Sequence, residues 1–399
     1  MNTIKTLAAA AVSIALSACG GGGGGGSPGN NTGGGTTTTT NNGAALLAAY
    51  AVPASIAADV VTNYTGTFNV GNSGMQSNCA NAALVSTTVV NAPDVVVFTT
   101  TASVKSQEVA ADLFEQAVPQ IRAALGLPTT GTGFDGTNKI QLCIDPNLGT
   151  GDGETGGGTS ITGQTAQGPG AVIVQVMSPD SPNFDARYPG ATYTGGTVGL
   201  RYFDLFRHEG THAALYSLAE PFGGMEAWFQ EGMATTVSQL PMGSKASVLA
   251  AVQATDLIPA NGAAAGDMGT SYPAYEATIG MLTSSAPGGL GYGLTNIPAF
   301  VATYKAKAVA LCQQPIPAGL TPNPNSTGAG IPAGQYNVCA PAAPGAVDGR
   351  LETAFDQAFN ATFKNSNSNG SPLYLHTADD PTGNSLEQTL YARLNAFLN

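Results

Sequence analysis

An α+β chain is predicted, with a mixed strand-helix half that holds a small sheet, followed by a mostly helical half. Three observations carry this. Short β-branched runs are confined to the region before residue 180, helical periodicity dominates after residue 200, and 399 residues that are 43% hydrophobic and 10% charged can bury one large or two modest cores.

The elements follow in order. "APDVVVFTT" (92–100), "NKIQLCID" (138–145) and "GAVIVQVM" (170–177) are apolar runs of strand length. Between the first two, Val109, Leu113, Phe114, Ala117, Ile121 and Leu125 recur at helical spacing, and Gly126 and Pro128 stop that helix. Further helical patterns cover 198–219, about 225–240, about 273–284, 297–312, 348–362 and 385–398. Leu351, Phe355, Ala358 and Phe359 share one face and are read as core. The glycine-rich stretch 146–170 lacks the Gly-Lys-Ser/Thr ending of a phosphate loop, and its acidic spacing fits no EF-hand, so it is read as a mobile surface loop. No internal repeat is present.

The first residues, "MNTIKTLAAAAVSIALSACG", have one lysine and an apolar run too short to span a bilayer, which is the pattern of a signal peptide. The ending Leu16-Ser17-Ala18-Cys19 resembles a bacterial lipobox, which implies a lipid anchor on Cys19 and a place in the bacterial cell envelope, at the outer membrane. Residues 20–43 are nearly all Gly, Thr and Asn and read as a flexible tether. The expected organisation is signal peptide 1–19, tether 20–43, N-terminal extension 44–91, strand-helix half 92–200 and helical half 201–399.

A formal charge of −12 with 13 Lys plus Arg spread thinly leaves no basic patch, which argues against nucleic acid and against any membrane contact other than the anchor. Cys79, Cys143, Cys312 and Cys339 are even in number and show no Cys-x-x-Cys spacing, so disulfides are expected. Three connectivities are open. Pairing in sequence order keeps each bridge within one half.

The chain has three histidines, and two of them lie in "LFRHEGTHAALYSL" (205–218). On a helix His208 and His212 share a face and can converge on one metal ion, with Glu209 placed to accept a proton from activated water. With 3 His and 10 Glu in the chain, chance would produce this pattern only about once in two thousand shuffled sequences. The surrounding helix is apolar nearly all round, so these polar side chains would be buried and would need a partner.

A catalytic zinc site takes a third protein ligand. The metzincin pattern would put histidine at 218, where the chain has Leu218. Downstream, "MEAWFQEGMATTV" (225–237) offers Glu231 on a second helix, with eighteen residues between it and His212. Together these motifs resemble the gluzincin metallopeptidases, over about residues 92–290. The resemblance implies a zincin-like scaffold with the active site between the two halves. It implies a Zn2+ ion held by His208, His212 and Glu231, Glu209 as general base, and a peptide or protein as substrate. Gly232 and Ala234 would let the two ligand-bearing helices pack closely. Glu220 and Glu226 are rival third ligands. Family members also use a donor from a later helix, which points to Tyr275, in a helix that Pro273 would open, or to Tyr272. His376 is the rival donor and is expected at the surface. Thr235 stands where relatives carry a supporting Asp, leaving Thr235 or Asp204 to orient a histidine. "GAVIVQVM" is expected to be the edge strand that receives extended substrate. Two other functions remain open: a binding lipoprotein on an inactive zincin fold, and a zinc hydrolase of non-peptide substrates.

Overall fold

The structure, a computed structural model, describes residues 43–66, 68, 86–99, 101–146, 160–164, 172–182, 184–188, 192–196, 198, 201–220, 222, 225–240, 243–260, 268–315, 339, 349–365 and 370–399. The expected signal peptide, the anchor at Cys19, the tether up to residue 42 and Cys79 lie outside the described residues. Among the described residues no helix is long and apolar enough to cross a membrane.

The protein is mixed α+β, as the sequence predicts. Two short helices, α1 (Gly43–Ala49) and α2 (Ala54–Ala58), precede the strands β1 (Val60–Val61), β2 (Val89–Asn91) and β3 (Val95–Phe98). Next come α3 (Val104–Leu125), β4 (Ile140–Asp145), β5 (Ser160–Gln164), β6 (Val172–Met177) and the single turn α4 (Phe184–Arg187). The rest is helical: α5 (Tyr202–Ala219), α6 (Ala227–Ser238), α7 (Lys245–Ala254), α8 (Met268–Thr283), α9 (Ile297–Cys312), α10 (Gly349–Thr362) and α11 (Leu386–Phe397).

The strands form one sheet in the order β1-β2-β3-β4-β6-β5, parallel at β3–β4 and β4–β6 and antiparallel elsewhere. Side chains alternate as a pleat requires. Val95, Val97, Leu142, Ile144, Val174 and Val176 enter the main core, whereas Val96, Phe98, Cys143 and Ile173 form a smaller cluster on the opposite face. Both faces are therefore covered, and these strands read as continuous apolar runs.

Two expectations are corrected here. The glycine-rich stretch contains a strand, β5, because its backbone pairs with β6 although its sequence, Ser160 to Gln164, lacks an apolar run. For the same reason β6 is internal, and β5 is the edge. The part of 44–91 that is described supplies β1 and β2 to the same sheet.

Helix α3 crosses from β3 to β4. Ser103 caps its start by accepting from the Ser106 N–H at 3.1 Å, and Gly126 ends it with φ of +65°, a conformation that favours glycine. The main core runs without a break from the strands into the helical half. One bridge joins Cys312, at the end of α9, to Cys339, as sequence order suggests. Cys143 is also disulfide-bonded.

Candidate metal centre

Helix α5 is the axis of the site. All its residues but Leu218 are buried, between α3, the β5–β6 side of the sheet, α6 and α9. Burying each large apolar side chain contributes roughly 1.5–3 kcal/mol, so the helix has little freedom to shift. Its start is anchored by Tyr202, whose hydroxyl donates to the Met177 carbonyl at the end of β6 at 2.6 Å, and whose ring packs edge-on to Phe184 and Phe206. Arg201 and Asp204 close a reciprocal cap at the first turn.

Helix α6 packs along α5. Trp228, in its first turn, is buried against Phe229 and against Phe355 and Phe359 of α10. Arg207 of α5 donates to the Val237 carbonyl in the last turn of α6 at 2.7 Å, where a cation also opposes the helix dipole.

These constraints bring three side chains to one point. The Nε2 atoms of His208 and His212 are 3.2 Å apart, and Glu231 Oε2 is 3.3 Å from each. None of the three residues is more than 4% exposed. Donor atoms about 2.0–2.1 Å from a shared tetrahedral zinc stand about 3.3–3.4 Å apart. The triangle has the dimensions of such a site, and two imidazoles with one carboxylate are a common donor set for zinc.

The three groups are also coupled electrostatically. Burial acts to raise the Glu231 carboxyl, but the imidazoles, His212 foremost, hold it well below the usual carboxylate range. Burial acts to lower His212, and the Glu231 carboxylate outweighs it, so His212 is raised. Glu209, next to His208 on α5, is fully buried.

The structure discriminates among the other candidates. Tyr272 lies over the site, its ring stacked on that of His208 with centroids 6.3 Å apart and planes 27° apart. Tyr275 is buried beside Tyr272, with ring centroids 6.2 Å apart, and its carbonyl abuts Gly232. Of the two, Tyr272 is the one stacked on a candidate ligand. The expectation that Pro273 opens the helix is corrected, because α8 begins at Met268 and Pro273 lies within it. Gly232 is also reassigned. A Cβ there would meet the Tyr275 carbonyl oxygen at 2.6 Å, so this glycine admits α8 rather than α5. On α5 the corresponding position is Gly210, where a Cβ would meet Ile121 of α3 at 2.6 Å.

Among the rival ligands, Glu220 closes α5 and Glu226 opens α6, where Glu226 faces His376. His376 is buried, not at the surface as expected, because the segment around it folds back over the start of α6. The Thr235 hydroxyl donates to the Glu231 carbonyl, and Asp204 pairs with Arg201. Tyr216, one turn beyond His212, was not singled out from the sequence. Burial, reinforced by Glu231 and Glu209, pushes its phenol well above its ordinary pKa. Spacing of i+4 from His212 was the available signal.

No family model matches the chain, and no curated protein and no solved structure matches it.

Proposed function

We propose that this protein is a zinc-dependent metallopeptidase of the gluzincin type, exported and held in the bacterial envelope by a lipid on Cys19. The observation that carries the reading is the 3.2–3.3 Å triangle of His208, His212 and Glu231, assembled from two helices, with the buried Glu209 next to His208 on the first. His208, His212 and Glu231 would hold the ion, which when bound supplies Lewis-acid polarisation of a carbonyl and acidification of water.

The chain's own residues do the rest. Glu209 takes the proton of the attacking water and passes it to the departing amine. Tyr272, stacked on His208, donates to the oxygen on which negative charge develops. The edge strand β5, which packs against α5, offers its outer backbone to an extended peptide. The presence of Glu209 next to His208 supports catalysis over a purely structural ion, which needs no base at that position.

Elemental analysis of wild type, Glu231→Ala and Glu209→Ala, followed by a panel of peptide and ester substrates, tests this. Expected are metal retention in Glu209→Ala with loss of turnover, loss of the metal at this site in Glu231→Ala, and hydrolysis of peptides that a chelator abolishes. A well-folded protein that takes up no zinc at this site would overturn the reading. Ester turnover alone would replace peptidase with another zinc hydrolase.

A further inference from the structure

A second polar cluster lies at the start of α6. Glu226 precedes the helix, Asp356 comes from α10, and His376 comes from the segment before α11. His376 Nε2 is 3.4 Å from Glu226 Oε1 and 3.5 Å from Asp356 Oδ1. The side chains of Glu226 and His376 are 1% and 4% exposed.

These separations are informative. A charge-assisted N–H···O bond runs about 2.7–2.9 Å, so 3.4–3.5 Å is long for an imidazolium clamped by carboxylates. Atoms that share a cation at about 2.1 Å stand about 3.4–3.5 Å apart. The donor atoms of the three residues all lie within 4.8 Å of one another.

The surroundings of the cluster are those of a supported site. Trp228 Nε1–H bonds Glu226 Oε2, leaving Oε1 directed at His376. Glu387 Oε2 faces the other ring nitrogen of His376 at 3.6 Å and is itself held by the Thr377 N–H at 2.7 Å. A carboxylate behind a ligating histidine is the usual way of fixing the ring. With His376 neutral, as a metal ligand must be, the buried Glu226 carboxylate and the half-buried Asp356 carboxylate leave negative charge that a divalent cation offsets.

We propose that Glu226, Asp356 and His376 form a second metal site, for a divalent first-row cation that accepts mixed nitrogen and oxygen ligands. The ion would fasten α10 and the segment leading to α11 onto the helix that carries Glu231. Glu231 is five positions beyond Glu226, about 7.5 Å of helix rise and about 140° of rotation. The two centres are thus distinct, unlike a two-metal catalytic pair about 3.5–4 Å apart. The inference does not depend on the activity of the first site.

The test counts zinc, used as the probe, in the full-length protein after chelation, reloading and removal of excess. Expected are two zinc ions per chain in wild type, one in His208→Ala, one in Asp356→Asn and none in the double variant, with circular dichroism confirming the fold. His208→Ala leaves the second cluster untouched and decides the matter even if Asp356→Asn fails to fold. No zinc in folded His208→Ala, or a single ion in wild type that Asp356→Asn retains, overturns the proposal and leaves an ion-pair clamp. Failure of the first site would instead leave one zinc in wild type that Asp356→Asn loses.

Discussion

Arg207 donates to the Val237 carbonyl at 2.7 Å, joining the helix of the two histidines to the last turn of the helix that carries Glu231. The guanidinium is next in sequence to a candidate ligand but touches none of the three in this bond. It fixes the angle between two helices whose side chains must meet at one point. Arg207→Met should keep all three ligand atoms yet weaken zinc binding about 10–100-fold, the range for residues that orient ligands. The buried carbonyl left unpaired should cost about 1–3 kcal/mol of stability. Competition with a chromophoric chelator reads the first effect and urea unfolding the second. Unchanged affinity would show that apolar packing alone aligns the helices.

How much of this was legible in the sequence depended on distance along the chain. His208, Glu209 and His212 lie within one turn of a single helix, and their juxtaposition follows from helical geometry alone. Glu231 is 19 positions beyond His212, and no periodicity links the two helices. Its place was legible only because a known motif supplied the missing tertiary step. Glu226 and His376 are 150 residues apart, and their meeting depends on how α10 and the C-terminal segment pack. No local signal could report that.

The sheet shows the same limit. β3, β4 and β6 are buried on both faces and read clearly as apolar runs. β5 contains Ser160, Thr162, Gly163 and Gln164, and its strand conformation comes from backbone pairing with β6. In the sequence Pro273 suggests a helix start, which favours Tyr275 over Tyr272. Tertiary packing carries α8 through the proline to Met268, which leaves Tyr272 within the helix and over His208.

The two tyrosines can be separated by kinetics. If Tyr272 donates to the developing oxyanion, Tyr272→Phe should lower kcat about 10²–10³-fold with little change in KM or in zinc content. Tyr275→Phe should leave kcat within a few-fold of wild type, since that ring is buried beside Tyr272 and it is Tyr272 that stacks on His208. Steady-state kinetics on any peptide turned over by wild type is sufficient, and equal losses in both variants would refute the assignment.

Gly210 and Gly232 look alike in the sequence, one on each ligand-bearing helix, but face different neighbours. An added methyl at 232 meets the Tyr275 carbonyl oxygen, which belongs to a packed helix backbone and cannot yield. Gly232→Ala should therefore cost about 2–3 kcal/mol or more, as overpacking does. At 210 the methyl meets the far end of the flexible Ile121 side chain, and alanine gains about 1 kcal/mol of helix propensity over glycine. Gly210→Ala should be near neutral. Thermal melts of the two variants compare them directly, and a reversed order would mean that α3, not α8, is the rigid neighbour.

Glu276 follows Tyr272 by one turn of α8 and is buried, its Oε2 without a hydrogen-bond partner among the described residues. Burial pushes its pKa from the ordinary 4.5 up to about 8. Below pH 4.5 the carboxyl is protonated in the folded and unfolded chains alike, and contributes no pH dependence. As pH rises from 4.5 to 8 the unfolded chain gives up this proton while the folded chain keeps it, so stability falls across that window and stays lower above it. Glu276→Gln removes the ionisation and should be more stable than wild type at pH 9, by about 1–3 kcal/mol once partial solvent screening is allowed for. The difference should shrink steadily toward pH 5. Melting temperatures of both proteins at pH 5, 7 and 9 read this out, and parallel curves would mean that the carboxyl finds a partner or water when it ionises.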